Sequence, residues 1–140
     1  MRGGIHHIDL TVCDPAASRG FYEHILGFMG YRLADAHERG FDFDLNGPEG
    51  FCSIGIMGAD GEGAQRRHDR YSPGLHHIAW QADNRSDVDR LHALLLRIGA
   101  TVLDAPAEYP RYGAGYYAVF FADPDGLKLE YVFRPPADPR

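Results

Sequence analysis

The second half of the chain repeats the first at an offset of 70 residues, half of the 140-residue length. Residues 4–12, Gly-Ile-His-His-Ile-Asp-Leu-Thr-Val, recur as residues 74–82, Gly-Leu-His-His-Ile-Ala-Trp-Gln-Ala. Self-similarity at a fixed spacing indicates copies of one supersecondary unit. We therefore expect each half to form the same unit and equivalent residues to take equivalent places in it.

Each half is predicted to form a strand, a helix and three further strands. In the first half, Asp14 fits an N-cap, Pro15 the first helical position and Gly27 the helix end. In the second half, Ser86 fits the N-cap and Gly99 the helix end. The later strands are predicted at residues 28–33, 41–45 and 51–57 in the first half, and at 101–104, 116–121 and 127–133 in the second.

A four-stranded unit with a helix on one face needs cover on its other face. The predicted fold class is therefore α+β, with two βαβββ modules forming a curled mixed sheet around a shared cavity. We expect one domain over residues 1–140, with module one at 4–58, a linker at 59–73 and module two at 74–134.

The composition favours a small-molecule substrate and disfavours nucleic-acid or membrane partners. The net charge is −6, and no run of Lys and Arg offsets it. Two cysteines are too few for a disulfide framework, which favours the reducing cytoplasm. No stretch reaches about 18 apolar residues, the length that indicates a membrane span, and no signal peptide is evident. We expect a cytoplasmic protein.

Two histidines and one glutamate are the predicted metal ligands. Because strand side chains alternate between faces, His7, His77 and Glu130 point away from the helix side of their strands. Two imidazoles and a carboxylate form an open-sided site for one divalent metal ion, whether Fe, Mn, Ni, Zn or Mg. The preceding histidines, His6 and His76, are expected to face the helix side or a turn.

Asp9 follows His7 by two residues on the same strand face, about 6.5–7 Å along the strand. Two roles are open for it: a general base, or a carboxylate that orients an imidazole ligand. Asp9 and the ligand Glu130 are the predicted catalytic residues.

Residues 108–117, Glu-Tyr-Pro-Arg-Tyr-Gly-Ala-Gly-Tyr-Tyr, are rich in tyrosine and glycine. This pattern is consistent with a flap over the cavity, its phenols contacting a planar substrate. It is also consistent with a surface loop packed by its own rings. The predicted substrate-binding residues are Tyr109, Tyr112, Tyr116, Tyr117, Phe120 and Gln81.

The pattern resembles the glyoxalase/bleomycin-resistance/extradiol-dioxygenase family, the vicinal oxygen chelate superfamily, from Ile5 to Phe133. The resemblance implies a homodimer, and a metal held by a first-strand His, a residue of the last strand of half one, a second-half His and a late Glu. Four sequence features carry the resemblance. They are the His7-to-Asp14 spacing, Phe21-Tyr22 before Leu26-Gly27-Phe28, His77, and Asp123-Pro124-Asp125-Gly126-x-x-x-Glu130.

The chain departs from this family pattern at the second of those four positions. Residues 51–57 contain no Glu, Gln or His, and Gly55 or Ile54 stands where the resemblance implies a ligand. Glyoxalase I and methylmalonyl-CoA epimerase are disfavoured, because both use a fourth side chain. Phe120 replaces a tyrosine of extradiol dioxygenases, and Asp9 a threonine of fosfomycin-modifying transferases, so neither branch matches fully.

Three functions are compatible with these residues. We favour a metal-dependent lyase, isomerase or transferase acting on a small oxygen-chelating metabolite. The alternatives are an extradiol-type Fe(II) dioxygenase and a metal-free small-molecule-binding protein like the bleomycin-resistance members of the family.

Overall fold

The computed structural model describes residues 2–136, and both halves form the predicted βαβββ unit. The first half contains β1 (His7–Val12), α1 (Pro15–Phe28), β2 (Arg32–His37), β3 (Gly40–Gly47) and β4 (Gly50–Gly58). The second half contains β5 (His77–Gln81), α2 (Arg85–Arg97), β6 (Thr101–Glu108), β7 (Tyr117–Ala122) and β8 (Lys128–Phe133). Short 3₁₀ helices lie at Gly61–Gln65 and Pro110–Tyr112.

The two halves build four-stranded mixed sheets with the same strand order. The orders are β1-β4-β3-β2 and β5-β8-β7-β6. In each sheet the first strand of the half pairs in parallel with the last, and the other neighbours are antiparallel. The predicted α+β class and the two modules are confirmed.

Each sheet buries one face under its own helix. α1 packs on β2, β3 and β4, and α2 packs on β6, β7 and β8. Val88, Leu91 and Leu95 lie at helical spacing on α2 and are fully buried. Each such side chain contributes about 1.5–3 kcal/mol when removed from water. The strand residues that alternate with the core positions point to the opposite face of the sheet, and the candidate site lies on that face.

The helix ends differ from the prediction at two of four places. α1 begins after Asp14, whose Oδ1 accepts a hydrogen bond from the backbone N–H of Ala16. It does not stop at Gly27: the helix continues, and Gly30 takes the left-handed conformation, at φ +94°. β2 consequently starts at Arg32 instead of at residue 28.

The N-cap of α2 is Asn84 and not Ser86. The Asn84 side-chain oxygen accepts a hydrogen bond of 2.9 Å from the backbone N–H of Asp87, and Ser86 lies inside the helix. Both residue types cap helices well, so the sequence alone did not separate them. The helix ends before Gly99, at φ +70°, as predicted.

The chain divides into two compact units between Arg66 and Arg67, inside the predicted linker. The first unit holds β1–β4 with α1, and the second unit holds β5–β8 with α2. The single domain and its shared cavity stay predictions. No helix among residues 2–136 is long and apolar enough to cross a membrane.

Candidate functional site

His77 and Glu130 come together on the helix-free face of the second unit's sheet. β5 and β8 are parallel neighbours, and Glu130 lies opposite Ala79, two residues along from His77. The Nε2 atom of His77 lies 3.1 Å from Oε2 of Glu130. The Glu130 side chain is only 3% exposed, and that of His77 is 33% exposed. A carboxylate buried to this extent is costly unless its oxygens have partners.

The second oxygen of Glu130 is also engaged. The Tyr116 hydroxyl donates a hydrogen bond to Oε1 of Glu130. Burial, and then this hydrogen bond, raise the pKa of the Tyr116 phenol, so it keeps its proton at neutral pH. Both carboxylate oxygens of Glu130 therefore have a defined neighbour, the His77 ring on one side and the Tyr116 phenol on the other.

Each predicted histidine ligand is joined to the histidine before it. The Nδ1 atoms of His76 and His77 lie 2.7 Å apart, and those of His6 and His7 lie 3.0 Å apart. His6 and His76 directly precede β1 and β5, and each contacts the ring of the histidine that follows it. The expectation that they face the helix side or a turn stays a prediction. Desolvation, and then the adjacent His77, lower the pKa of His76. The repeated His-His doublet was the sequence signal for these contacts.

The His77–Glu130 pair suits two ligands of one divalent ion. Ligand atoms about 2.1 Å from a metal and at a right angle lie about 3 Å apart, close to the observed separation. The third predicted ligand, His7, belongs to the first unit. Among residues 2–136, no three His, Cys, Asp or Glu side chains gather as a group that could hold a metal ion.

Two carboxylates occupy the space above Gly55 in the first unit. Asp9 on β1 and Asp42 on β3 are the register partners of Gly55 on β4. A Cβ on Gly55 would collide with the Asp9 carboxylate and stand 3.0 Å from Oδ1 of Asp42. His37 on β2 adds an imidazole, with Nε2 3.4 Å from Oδ2 of Asp42. The place where the family resemblance implied a fourth ligand is thus filled from the adjacent strands.

Aromatic rings cluster next to Glu130. Phe120 lies opposite Glu130 in the β7–β8 ladder, and the rings of Phe120 and Tyr109 make a T-shaped contact with their centroids 5.3 Å apart. Tyr109 stacks on Tyr112 at 6.0 Å, and Tyr112 lies 5.4 Å from Tyr116. Tyr109, Tyr112, Tyr116 and Phe120 thus form one aromatic cluster. The loop between β6 and β7 is thus packed by its own rings, one of the two predicted arrangements.

The other two predicted substrate-binding residues, Tyr117 and Gln81, lie on opposite faces of the second unit's sheet. The Tyr117 hydroxyl donates to Oδ1 of Asp89 at 2.6 Å, and the Arg85 guanidinium lies 4.1 Å from its ring centroid. Both partners belong to α2, so Tyr117 lies on the helix side of the sheet, and its predicted substrate contact gains no support. Gln81 ends β5, is exposed and shares the face of His77 by alternation.

Comparison with known proteins identifies relatives over almost the whole chain. The uncharacterized protein YqjT of Bacillus subtilis (strain 168) is 32% identical over 128 residues, covering 91% of this chain and 97% of that protein. A crystal structure of a candidate glyoxalase from Bacillus halodurans superposes with a TM-score of 0.80 at 27% identity, covering 95% of this chain and 97% of that one.

More distant structures share the fold. Lactoylglutathione lyase from Agrobacterium tumefaciens has a TM-score of 0.60 at 19% identity, covering 94% of this chain and 93% of that one. The model of the Glyoxalase/Bleomycin resistance protein/Dioxygenase superfamily matches residues 4–131. The resemblance inferred from the sequence motifs is confirmed. The chain belongs to the Glyoxalase/Bleomycin resistance protein/Dioxygenase superfamily.

Proposed function

We propose that this protein is a divalent-metal-dependent lyase, isomerase or transferase acting on a small oxygen-chelating metabolite. The observation that carries the proposal is the His77–Glu130 pair, an imidazole nitrogen and a buried carboxylate oxygen 3.1 Å apart. A carboxylate is rarely this deeply buried without specific partners, and here the partners are the His77 ring and the Tyr116 hydroxyl. His7, the equivalent of His77 in the first unit, is the proposed third ligand.

The protein side chains would share the chemistry as follows. A bound divalent ion supplies Lewis acidity to a chelating substrate oxygen. Asp9, in the proposed role of general base, takes a proton from the substrate. The rings of Tyr109, Tyr112 and Phe120 offer apolar faces to a planar portion of the substrate and exclude water from it.

Metal binding by the intact protein tests this proposal. We expect protein purified without chelator to bind one divalent ion per chain, as measured by elemental analysis and by calorimetric titration with Co²⁺, Mn²⁺ and Zn²⁺. His77→Ala, Glu130→Gln and His7→Ala should each weaken binding at least about tenfold. His24→Ala, an exposed change on α1, is the matched control and should bind as wild type does. Absence of binding, or equal binding by all variants, would refute the proposal and favour a metal-free binding protein.

An Fe(II) dioxygenase is the second candidate, because two histidines and one carboxylate also describe the non-haem Fe(II) site. Oxygen uptake with ferrous iron and catechols separates the two candidates. Ring cleavage with consumption of oxygen would establish the dioxygenase. Metal binding without oxygen uptake across a catechol panel would support the lyase, isomerase or transferase.

A further inference from the structure

We propose that His76 and Tyr116 are positioning residues that hold His77 and Glu130 in the orientation needed to bind a divalent ion. The inference rests on the proposed function. It starts from one continuous chain of contacts, in which His76 meets His77, His77 meets Glu130, and Glu130 accepts from Tyr116. His76 and Tyr116, at the two ends of this chain of contacts, are not proposed as ligands. His76 contacts Nδ1 of His77 and Tyr116 contacts Oε1 of Glu130, and each contact would fix the orientation of a proposed ligand.

His76 contacts the ring nitrogen of His77 that does not face Glu130. The His77 side chain is one-third exposed, and the outer torsion of a histidine is broad. With Nδ1 held by His76, the Nε2 atom of His77 is directed toward Glu130. The His76 ring also makes a T-shaped contact with Tyr71, with the ring centroids 5.7 Å apart. Histidine ligands in metalloproteins generally use the second ring nitrogen for such an orienting hydrogen bond.

A histidine is well suited to this position because its Nδ1 can donate or accept, depending on the tautomer. When the lone pair of His77 Nε2 is used for ligation, the proton of that ring resides on Nδ1, and His76 must accept it. When His77 Nε2 instead donates to Glu130, His76 can supply the proton between the two Nδ1 atoms. A backbone carbonyl in the place of His76 could only accept.

Tyr116 performs the corresponding task for Glu130. Its hydroxyl donates to Oε1, which leaves Oε2, the oxygen beside His77, for an ion. Without the hydroxyl, Oε1 would be a buried acceptor without its phenol donor, and the carboxylate would be free to rotate about its terminal torsion. Tyr116 was predicted to contact substrate, and this contact gives it a different task.

The duplication supplies an independent instance of the histidine contact. His6 and His7 repeat the Nδ1-to-Nδ1 contact in the first unit, at 3.0 Å, and the His6 ring lies 4.9 Å from Phe51. The aromatic ring next to the first histidine differs between the units, Phe51 in one and Tyr71 in the other. The same contact recurring in different surroundings indicates that it belongs to the doublet itself.

Calorimetric titration with Co²⁺ and Zn²⁺ tests the proposal on the full-length protein. We expect His76→Phe, which keeps a ring but loses the nitrogen, and Tyr116→Phe to weaken binding about 10–100-fold. His76→Asn should restore most of the affinity, because its amide keeps a donor and an acceptor near the place of Nδ1. His24→Phe and Tyr31→Phe make the same chemical changes elsewhere in the chain and should bind as wild type does.

Crystal structures of the metal-free variants provide a readout that does not depend on binding. We expect a turned His77 ring in His76→Phe and a rotated Glu130 carboxylate in Tyr116→Phe. If both groups keep their wild-type orientation, or both variants bind within about twofold of wild type, the positioning role is overturned while the proposed function stands. If wild type binds no ion, the proposed function fails and this inference with it. If Tyr116→Phe does not fold, the two variants of the exposed His76, His76→Phe and His76→Asn, test the positioning role by themselves.

Discussion

The carboxylate of Asp9 lies where a side chain on Gly55 would have to stand. The two residues are register partners on β1 and β4, and Asp42 reaches the same space from β3. At position 55, where the family resemblance implied a fourth ligand, the absent side chain leaves no empty space, because the carboxylates of Asp9 and Asp42 occupy it. Restoring a ligand at position 55 would require both of them to move.

Gly55→Ala should lower the free energy of unfolding by about 1–3 kcal/mol, because the new Cβ overlaps the Asp9 carboxylate. Urea denaturation measures the change. Gly47→Ala is the matched control in the same sheet, since a Cβ there meets nothing within 4 Å. In an Asp9→Ala background the cost of Gly55→Ala should shrink. An equal cost in both backgrounds would show that Asp9 is not the obstacle.

Asp9→Asn should reduce turnover while leaving metal affinity within about twofold of wild type, as expected for a general base. The reason is that the Nδ1 atom of His7 is already engaged by His6, so Asp9 is not needed to orient that ring through Nδ1. Calorimetry on the variant measures the affinity. A tenfold loss of affinity with turnover per bound ion unchanged would instead assign Asp9 to ligand orientation.

Asp123→Ala should cost about 2–3 kcal/mol of unfolding free energy, because it removes the acceptor from two backbone donors of the turn before β8. Oδ1 of the buried Asp123 accepts from the backbone N–H groups of Asp125, at 2.9 Å, and Leu127, at 2.8 Å. Asp123→Asn keeps an oxygen in the same place and should cost less. Chemical denaturation of both variants checks this, and equal losses would contradict the proposed role of Oδ1.

Tyr117→Phe should destabilise the protein by about 0.5–1 kcal/mol at pH 8, with a difference that disappears at alkaline pH. The hydrogen bond to Asp89, and then desolvation, raise the pKa of the Tyr117 phenol. A raised folded-state pKa adds stability below the unfolded value, near 10, and this stability is lost as pH rises through the folded value. Urea midpoints of both proteins from pH 8 to pH 11 measure it. A difference that does not change with pH would contradict the assignment.

Much of the fold could be predicted from the sequence because the duplication and the alternation of side chains are local properties. The motif around His7 recurs around His77, which indicated two equivalent units. Period-2 alternation correctly placed the side chain of Glu130 on the opposite face of β8 from the core residues Leu129 and Tyr131. The Asp14 cap with Pro15 marked the start of α1 for the same reason, since a cap involves only residues within one turn.

The contacts around Glu130 were decided by tertiary structure. Adjacent tyrosines could be seen in the sequence, but the β7–β8 register and the packing of α2 determine that Tyr116 reaches Glu130 while Tyr117 turns to Asp89. The overlap of Asp9 with position 55 likewise depends on which strands are neighbours. Local patterns determine which face a residue takes, whereas partners distant in sequence are chosen by strand pairing and packing, which no single segment specifies.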